Sequence, residues 1–257
     1  MGGGGFDRRT WRQARDDGGR RRQATHGRLT HKALSAIKRD MIQTMASSVN
    51  EAFYADSNCY QEAGGFQWRV ASHDRSPIRR TVPDPAARGG FYYERNGGIN
   101  FQRRVLLSDD TALVRFVRAV DHYGKKRPPE ELINSPWWLT IDRFLLLLDR
   151  AHTAGVPLVE MVRRQLAVPE EWNTCDTIVR ARPKPGVTLA AYAGPGRTAI
   201  AGDERRIIAP EAKTLWMDQL YIPGLGRMPW LSRRPPNMAA QWINYERTFD
   251  ATAKGFR

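Results

Sequence analysis

Residues 108–120 read SDDTALVRFVRAV, and residues 138–168 read WLTIDRFLLLLDRAHTAGVPLVEMVRRQLAV. Ser108 is placed to cap a helix, and Asp109 and Asp110 complement its positive end. Leu113, Phe116, Val117 and Val120 then form an apolar face, with Arg115 and Arg118 pointing outward. The GKKRPP run at 124–129 ends that helix and forms a basic linker. A second helix is predicted from around Trp138, with Ile141, Phe144, Leu145 and Leu148 at helical spacing. Gly155 ends it, and Pro157 opens a third helix carrying Leu158, Val162 and Leu166. These segments predict a helical layer that needs another layer for burial.

Working outward, Thr30 caps a predicted helix running to about Tyr54, with Leu34, Ile37, Met41, Met45 and Val49 on one face. FQWRV at 66–70 reads as a strand. FYYE, the turn signal RNGG and INFQRRVL predict a hairpin near 91–106, with Arg95 at its turn and Arg103 and Arg104 on its return. Beyond 170, DTIVRARP, GVTLAAYAG and RRIIAPEA have β-like content, and QWINYERTF reads as either a strand or a short helix. The expectation is an α+β fold: a central helical layer with short β segments, then a β-rich C-terminal region. The predicted organisation is a basic arm at 1–27, a mainly helical region at 28–169 and a β-rich, loop-rich region at 170–257.

Charge is the strongest compositional signal. The 257 residues carry a formal charge of +14, from 34 Arg and 7 Lys against 27 acidic residues. The first 39 residues hold eleven Arg or Lys against three Asp, a net +8. GGGG at 2–5 and DDGG at 16–19 oppose regular structure there. An arm with so few apolar residues is suited to charge contacts, and its natural counterpart is a phosphate backbone. Basic residues also stand beside rings at Trp68–Arg69, Tyr93–Arg95 and Trp230–Arg233, a pattern that can stack bases while tracking phosphates. The nucleic-acid contacts expected are Arg8, Arg9, Arg12, Arg20, Arg21, Arg22, Arg28, Lys32, Arg103, Arg104, Arg233 and Arg234. Cys59 and Cys175 make no disulfide framework. The densest apolar run, FLLLLDRAHTAGV, is broken by Asp149, Arg150 and His152, which marks a packed helix. Phe6 stands where an N-myristoylation signal from Gly2 would have Ser or Thr.

No conventional metal-ligand spacing joins His26, His31, His73, His122 or His152 to the cysteines, so neither metal nor cofactor is expected. His73–Asp74 and Asp121–His122 are adjacent pairs with simpler uses in a turn and at a helix end. YAGPGRTAIAG at 192–202 permits close ligand approach, with Arg197 and Thr198 facing phosphate, but lacks the order of a P-loop or a dinucleotide fingerprint. Gly224, Gly226 and Arg227 form a second candidate anion loop.

Two functional expectations follow. The first is a structural or accessory protein associating non-specifically with nucleic acid, in the cytoplasm or inside a nucleic-acid-containing particle or ribonucleoprotein assembly, without a catalytic site. The second is a nucleotide- or NAD-using transferase. Arg180 or Arg182, then Arg197 with Thr198, then Glu246 form an Arg–hydroxyl–Glu order that resembles ADP-ribosyltransferase toxins over the last third of the chain, without their Ser-Thr-Ser pattern. That resemblance implies that the arginine binds phosphate and Glu246 polarises a nucleophile.

Overall fold

The computed structural model describes residues 48–70, 82–83, 91–100, 103–201, 206–211, 217–226 and 238–253. All of them fall in the compact unit Met45–Arg257. In chain order the elements begin with Glu51–Tyr54 (α1), Ser57–Ala63 (α2), Phe66–Val70 (β1), Val82–Pro83 (β2), Phe91–Arg95 (β3) and Arg103–Leu107 (β4). Then come Leu113–Val117 (β5), Pro129–Leu132 (α3), Trp137–Thr140 (β6), Ile141–Ala154 (α4), Leu158–Leu166 (α5) and Thr177–Pro183 (β7). The series closes with Leu189–Pro195 (β8), Ala199–Ala201 (β9), Arg206–Ile208 (β10), Asp218–Tyr221 (β11), Met238–Trp242 (α6) and Ile243–Asp250 (β12).

Seven strands make one antiparallel sheet in the order β12-β7-β5-β6-β11-β8-β4. Its strands come from both sides of residue 170. One face packs Leu113, Val117, Val179, Ala181 and Leu189 against Leu225, Ala239 and Trp242. On the other face Val114, Phe116 and Ile178 meet α4 and α5 through Phe144, Leu147, Leu158, Met161 and Val162. The two longer helices on one side of an antiparallel sheet, with short helices and irregular segments on the other, make an α+β architecture whose C-terminal part is rich in strands.

Local chemistry explains the helices, both those expected, α4 and α5, and the unanticipated α2. Gly155 ends α4 in the left-handed conformation at φ 62°, and Val156 N–H donates to the carbonyl of Ala151 at 3.1 Å. Pro157 precedes α5 as its N-cap, where a missing N–H leaves no helical bond unmade. Asp56 caps α2 by accepting from Asn58 N–H at 2.7 Å.

Three expectations are corrected. The segment after Ser108 is the strand β5, central in the sheet. Both its faces are covered, so apolar residues occur without alternation, and a four-residue subset of them mimics helical spacing. The second predicted helix begins three residues late, because Trp137–Thr140 is a strand paired with β5 and β11. The 91–106 hairpin does not form: β3 pairs with β1 and β2, while β4 pairs with β8. Its first half pairs upstream with β1 and β2, and its second half pairs far downstream with β8. Of the helix predicted from Thr30, only its end lies among the described residues, where Glu51–Tyr54 is helical. The sequence QWINYERTF adopts both alternatives in turn, the end of α6 and then β12.

The chain before the sheet is locked down by one polar side chain. Buried Asn50 donates to the carbonyls of Ala190 at 2.8 Å and Pro223 at 2.9 Å. Its Oδ1 accepts from Ala190 N–H at 2.8 Å. Both amide donors and the carbonyl oxygen are thus engaged, as a buried amide requires. No helix among the described residues is long and apolar enough to cross a membrane.

Candidate anion-binding pocket

The sheet opens at its centre. β5 and β6 pair only at Leu113↔Thr140 and Val114↔Leu139. The next pair in that register would be Arg115 and Trp138, and there the ladder stops. β5 continues with β7 and β6 continues with β11. The strands part around two large side chains, and a cavity of about 440 Å³ occupies the gap. Its walls include Arg115 and Phe116 from β5, Trp137 and Trp138 from β6, Leu166 from α5, Gln219 from β11, and Glu62, Trp172 and Arg197.

A second chamber of about 160 Å³ adjoins it and shares Arg115, Trp172 and Asn173. Its remaining walls include Arg118, Arg127, Glu131 and Asn134. Three arginines and one glutamate therefore line one small space. The larger chamber is ring-lined and the smaller is cationic.

Shielded polar atoms gather at this junction. Arg115 Nε and Nη1, Arg127 Nε and Asn134 Oδ1 are out of reach of solvent and make no hydrogen bond. Leaving such atoms unmatched costs about 1–3 kcal/mol each, and more for charged groups. The Arg115 guanidinium lies 5.5 Å from the centroid of the Trp138 ring. Burial and then the neighbouring Arg127 push Arg115 down to about 9. Trp138 is fixed by its indole N–H, which donates to the carbonyl of Ser135 at 2.7 Å.

Asn173 holds the loop between α5 and β7 against β5. Its Nδ2 donates to the carbonyl of Phe116 at 2.7 Å, and its Oδ1 accepts from Cys175 N–H at 2.9 Å. This places the half-exposed Trp172 over both chambers. The Trp172 ring rests on Gly97, where an added Cβ would meet its Cζ3 at 3.3 Å.

The far wall carries an acid. Glu62 is raised to about 7, mainly by burial, and Tyr221 hydroxyl donates to its Oε2. Tyr221 is itself raised well above its usual value by burial and by Glu62. Glu62 can therefore exchange a proton near neutral pH at the pocket wall. The Cys175 thiol is pushed up to about 12 by burial, which makes it a poor nucleophile. Among the described residues no group of three or more His, Cys, Asp or Glu is placed to hold a metal ion.

Glu62 makes stability depend on pH. The folded chain keeps this proton up to about 7, whereas an unfolded glutamate releases it near 4.5. Between those values the folded state binds more protons, so stability is full below 4.5 and falls as pH rises to 7. The loss is on the order of 3 kcal/mol. Urea unfolding at pH 5 and pH 8 should show this loss in the native protein and little of it in Glu62→Gln. Equal pH dependence in both proteins would refute the assignment.

The residues expected from sequence divide sharply. Arg8, Arg9, Arg12, Arg20, Arg21, Arg22, Arg28, Lys32, Arg233 and Arg234 lie outside the described residues, as do Arg227 and the pair His73–Asp74. Arg103 and Arg104 are exposed on β4. Arg103 meets Asp218 at 2.7 Å, and Arg104 meets Glu51 at 2.6 Å while lying over the Tyr54 ring. Arg180 and Arg182 both pair with Glu246 across β7 and β12, Arg180 at 2.7 Å. None of these three lines the pocket, whereas Arg197 does. Gly224 and Gly226 pack against Trp242 and Pro136 rather than opening to a ligand. Arg115 and the tryptophans at 137, 138 and 172 were not anticipated. Reading LVRFV as a strand would have placed Arg115 with Leu113 and Val117 on an inward face.

Comparison of the chain with family models, with curated proteins and with solved structures yields no match.

Proposed function

We propose that the chain binds a nucleotide-class ligand, with its flat base among Trp137, Trp138 and Trp172 and its phosphate in the arginine chamber. The observation that carries this reading is the adjoining pair of chambers, one lined by Trp137, Trp138 and Trp172 and the other by Arg115, Arg118 and Arg127. A phosphate supplies several acceptor oxygens to a planar guanidinium fork. Rings give a base two apolar faces to stack on. The ligand needs both parts, because a bare anion leaves the ring chamber unused and a neutral ring leaves the guanidinium groups unmatched. The reading is one of binding and requires no reaction. Association of the Arg-rich N-terminal segment with nucleic acid is a companion proposal, supported by the net +8 charge of residues 1–39.

Isothermal titration of the full chain with AMP, ATP, adenosine and inorganic phosphate tests the pocket. AMP or ATP should bind about 10–100-fold more tightly than adenosine, the range expected for hydrogen bonds to charged groups. Phosphate alone should be weak. Adenosine matching both nucleotides, or no binding by any of the four, would sink the reading.

A further inference from the structure

We infer that the ligand of the two chambers is the terminal nucleotide of a single-stranded nucleic acid, and that the strand continues along a hairpin at residues 118–127. This rests on the nucleotide reading above and extends it from a small molecule to a polymer.

The hairpin grows directly from the arginine chamber. Arg118 and Arg127, at its two feet, both line that chamber. Its stem is held by Arg127 N–H donating to the carbonyl of Ala119 at 2.9 Å and Asp121 N–H donating to that of Lys125 at 2.8 Å. Gly124 turns the tip at φ 80°, with open space around it. Asp121 Oδ1 accepts from the backbone N–H groups of Tyr123 and Lys125, each at 2.9 Å. The one acid in the segment is thus turned onto the backbone, while Lys125 and Lys126 face solvent.

Tyr123 is 84% exposed, the most exposed large hydrophobic residue among those described. Its ring contacts His122 at a centroid distance of 3.7 Å. Such a tyrosine adds nothing to the core, and leaving its ring in water forgoes the gain of burial. Its position suits an external stacking partner. Tyr123 stands five residues past Arg118, so it lies at most about 17 Å from that foot at about 3.3 Å per residue. A mononucleotide seated in the chambers leaves that tip uncovered. A strand leaving the chambers passes Arg118 and Arg127 with its phosphates, then reaches Lys125, Lys126 and the Tyr123 ring. Alternating cations and exposed rings are the means by which proteins hold single strands, whereas a duplex keeps its bases stacked on each other.

The test uses the full chain, AMP, and oligoadenylate pentanucleotides in ribose and deoxyribose forms, phosphorylated at the 5′ or the 3′ end. One phosphorylated pentanucleotide should bind at least about tenfold more tightly than AMP, as expected for an added stacked base. The triple variant Tyr123→Ala, Lys125→Ala, Lys126→Ala should lose that advantage and keep its AMP affinity. Arg115→Met should weaken AMP and the pentanucleotide by a similar factor, which separates pocket binding from charge contacts elsewhere. If AMP binds as tightly as every pentanucleotide, or if the triple variant keeps the advantage, the strand inference is overturned and the mononucleotide site stands. If neither AMP nor any pentanucleotide binds, both readings fall together.

Discussion

Arg115→Met is expected to make the unliganded protein more stable and a weaker nucleotide binder. Two donor atoms of this side chain are shielded and unmatched, and Arg127 disfavours its charge further. Methionine keeps an apolar stem against Trp138 and removes the buried charge. Replacing an uncompensated buried ion with an apolar side chain of similar length should add about 1–3 kcal/mol to the free energy of unfolding. The same change removes the planar fork that would hold phosphate, so nucleotide affinity should fall about 100-fold. Arg115→Lys keeps the charge without the fork and should fall between the two. Urea unfolding and calorimetric titration measure both arms. A variant that loses stability and keeps its affinity would show Arg115 to be structural.

Gly98→Ala should be among the most damaging single-methyl changes in the protein. Gly98 sits at φ 77°, and an added Cβ would lie 2.2 Å from Gly65 N and 2.5 Å from Gly65 Cα. Gly65 sits at φ 88°, and its own Cβ would lie 2.1 Å from the Gly97 carbonyl oxygen. Two backbones cross here without room for a side chain. The crossing is stitched by Asn96 N–H to the Gly65 carbonyl at 2.7 Å, Ile99 N–H to that of Ala63 at 2.8 Å and Arg197 N–H to that of Gly98 at 2.8 Å. Backbone atoms cannot rotate away as a flexible side chain can. The expected loss exceeds about 3 kcal/mol, combining left-handed strain with displacement of the chain. Gly155→Ala is the control: φ is 62° but nothing lies within 4 Å, so only about 1–2 kcal/mol of backbone strain should appear. Chemical denaturation of the two variants measures the difference. Equal losses would mean that the crossing is not tight.

Because Gly65, Gly97 and Gly98 also line the larger chamber, the crossing bears on function as well as stability. The turn signal at 95–98 is real at the level of the backbone, since Gly97 and Gly98 both have positive φ. Its purpose differs from a hairpin. The glycines let one segment pass against another some 30 residues earlier, and nothing within a local window reveals that partner.

What the chain determined by itself is mostly local. Gly155 and Pro157 separate α4 from α5 because their backbone preferences act without tertiary help. The helical period of α4 was legible, but its buried face was only partly so: Phe144 is buried as expected and Ile141 and Leu148 are partly buried, whereas Leu145 is exposed and Leu147 and Ala151 complete the buried face. FQWRV is a strand, and the mixed character of the fold is visible from the change in texture past 170. Tertiary structure decided what short apolar runs could not. LVRFV is apolar toward both sides of a covered sheet, so its period is ambiguous, and only pairing with β6 and β7 makes it a strand. The pocket is a still longer-range product. Arg115 and Trp138 are 23 residues apart, and they face each other because the β5–β6 ladder ends one pair earlier. The sequence carried abundant positive charge, but charge is distributed over many arginines. Burial alone selected which guanidinium groups lost their solvent.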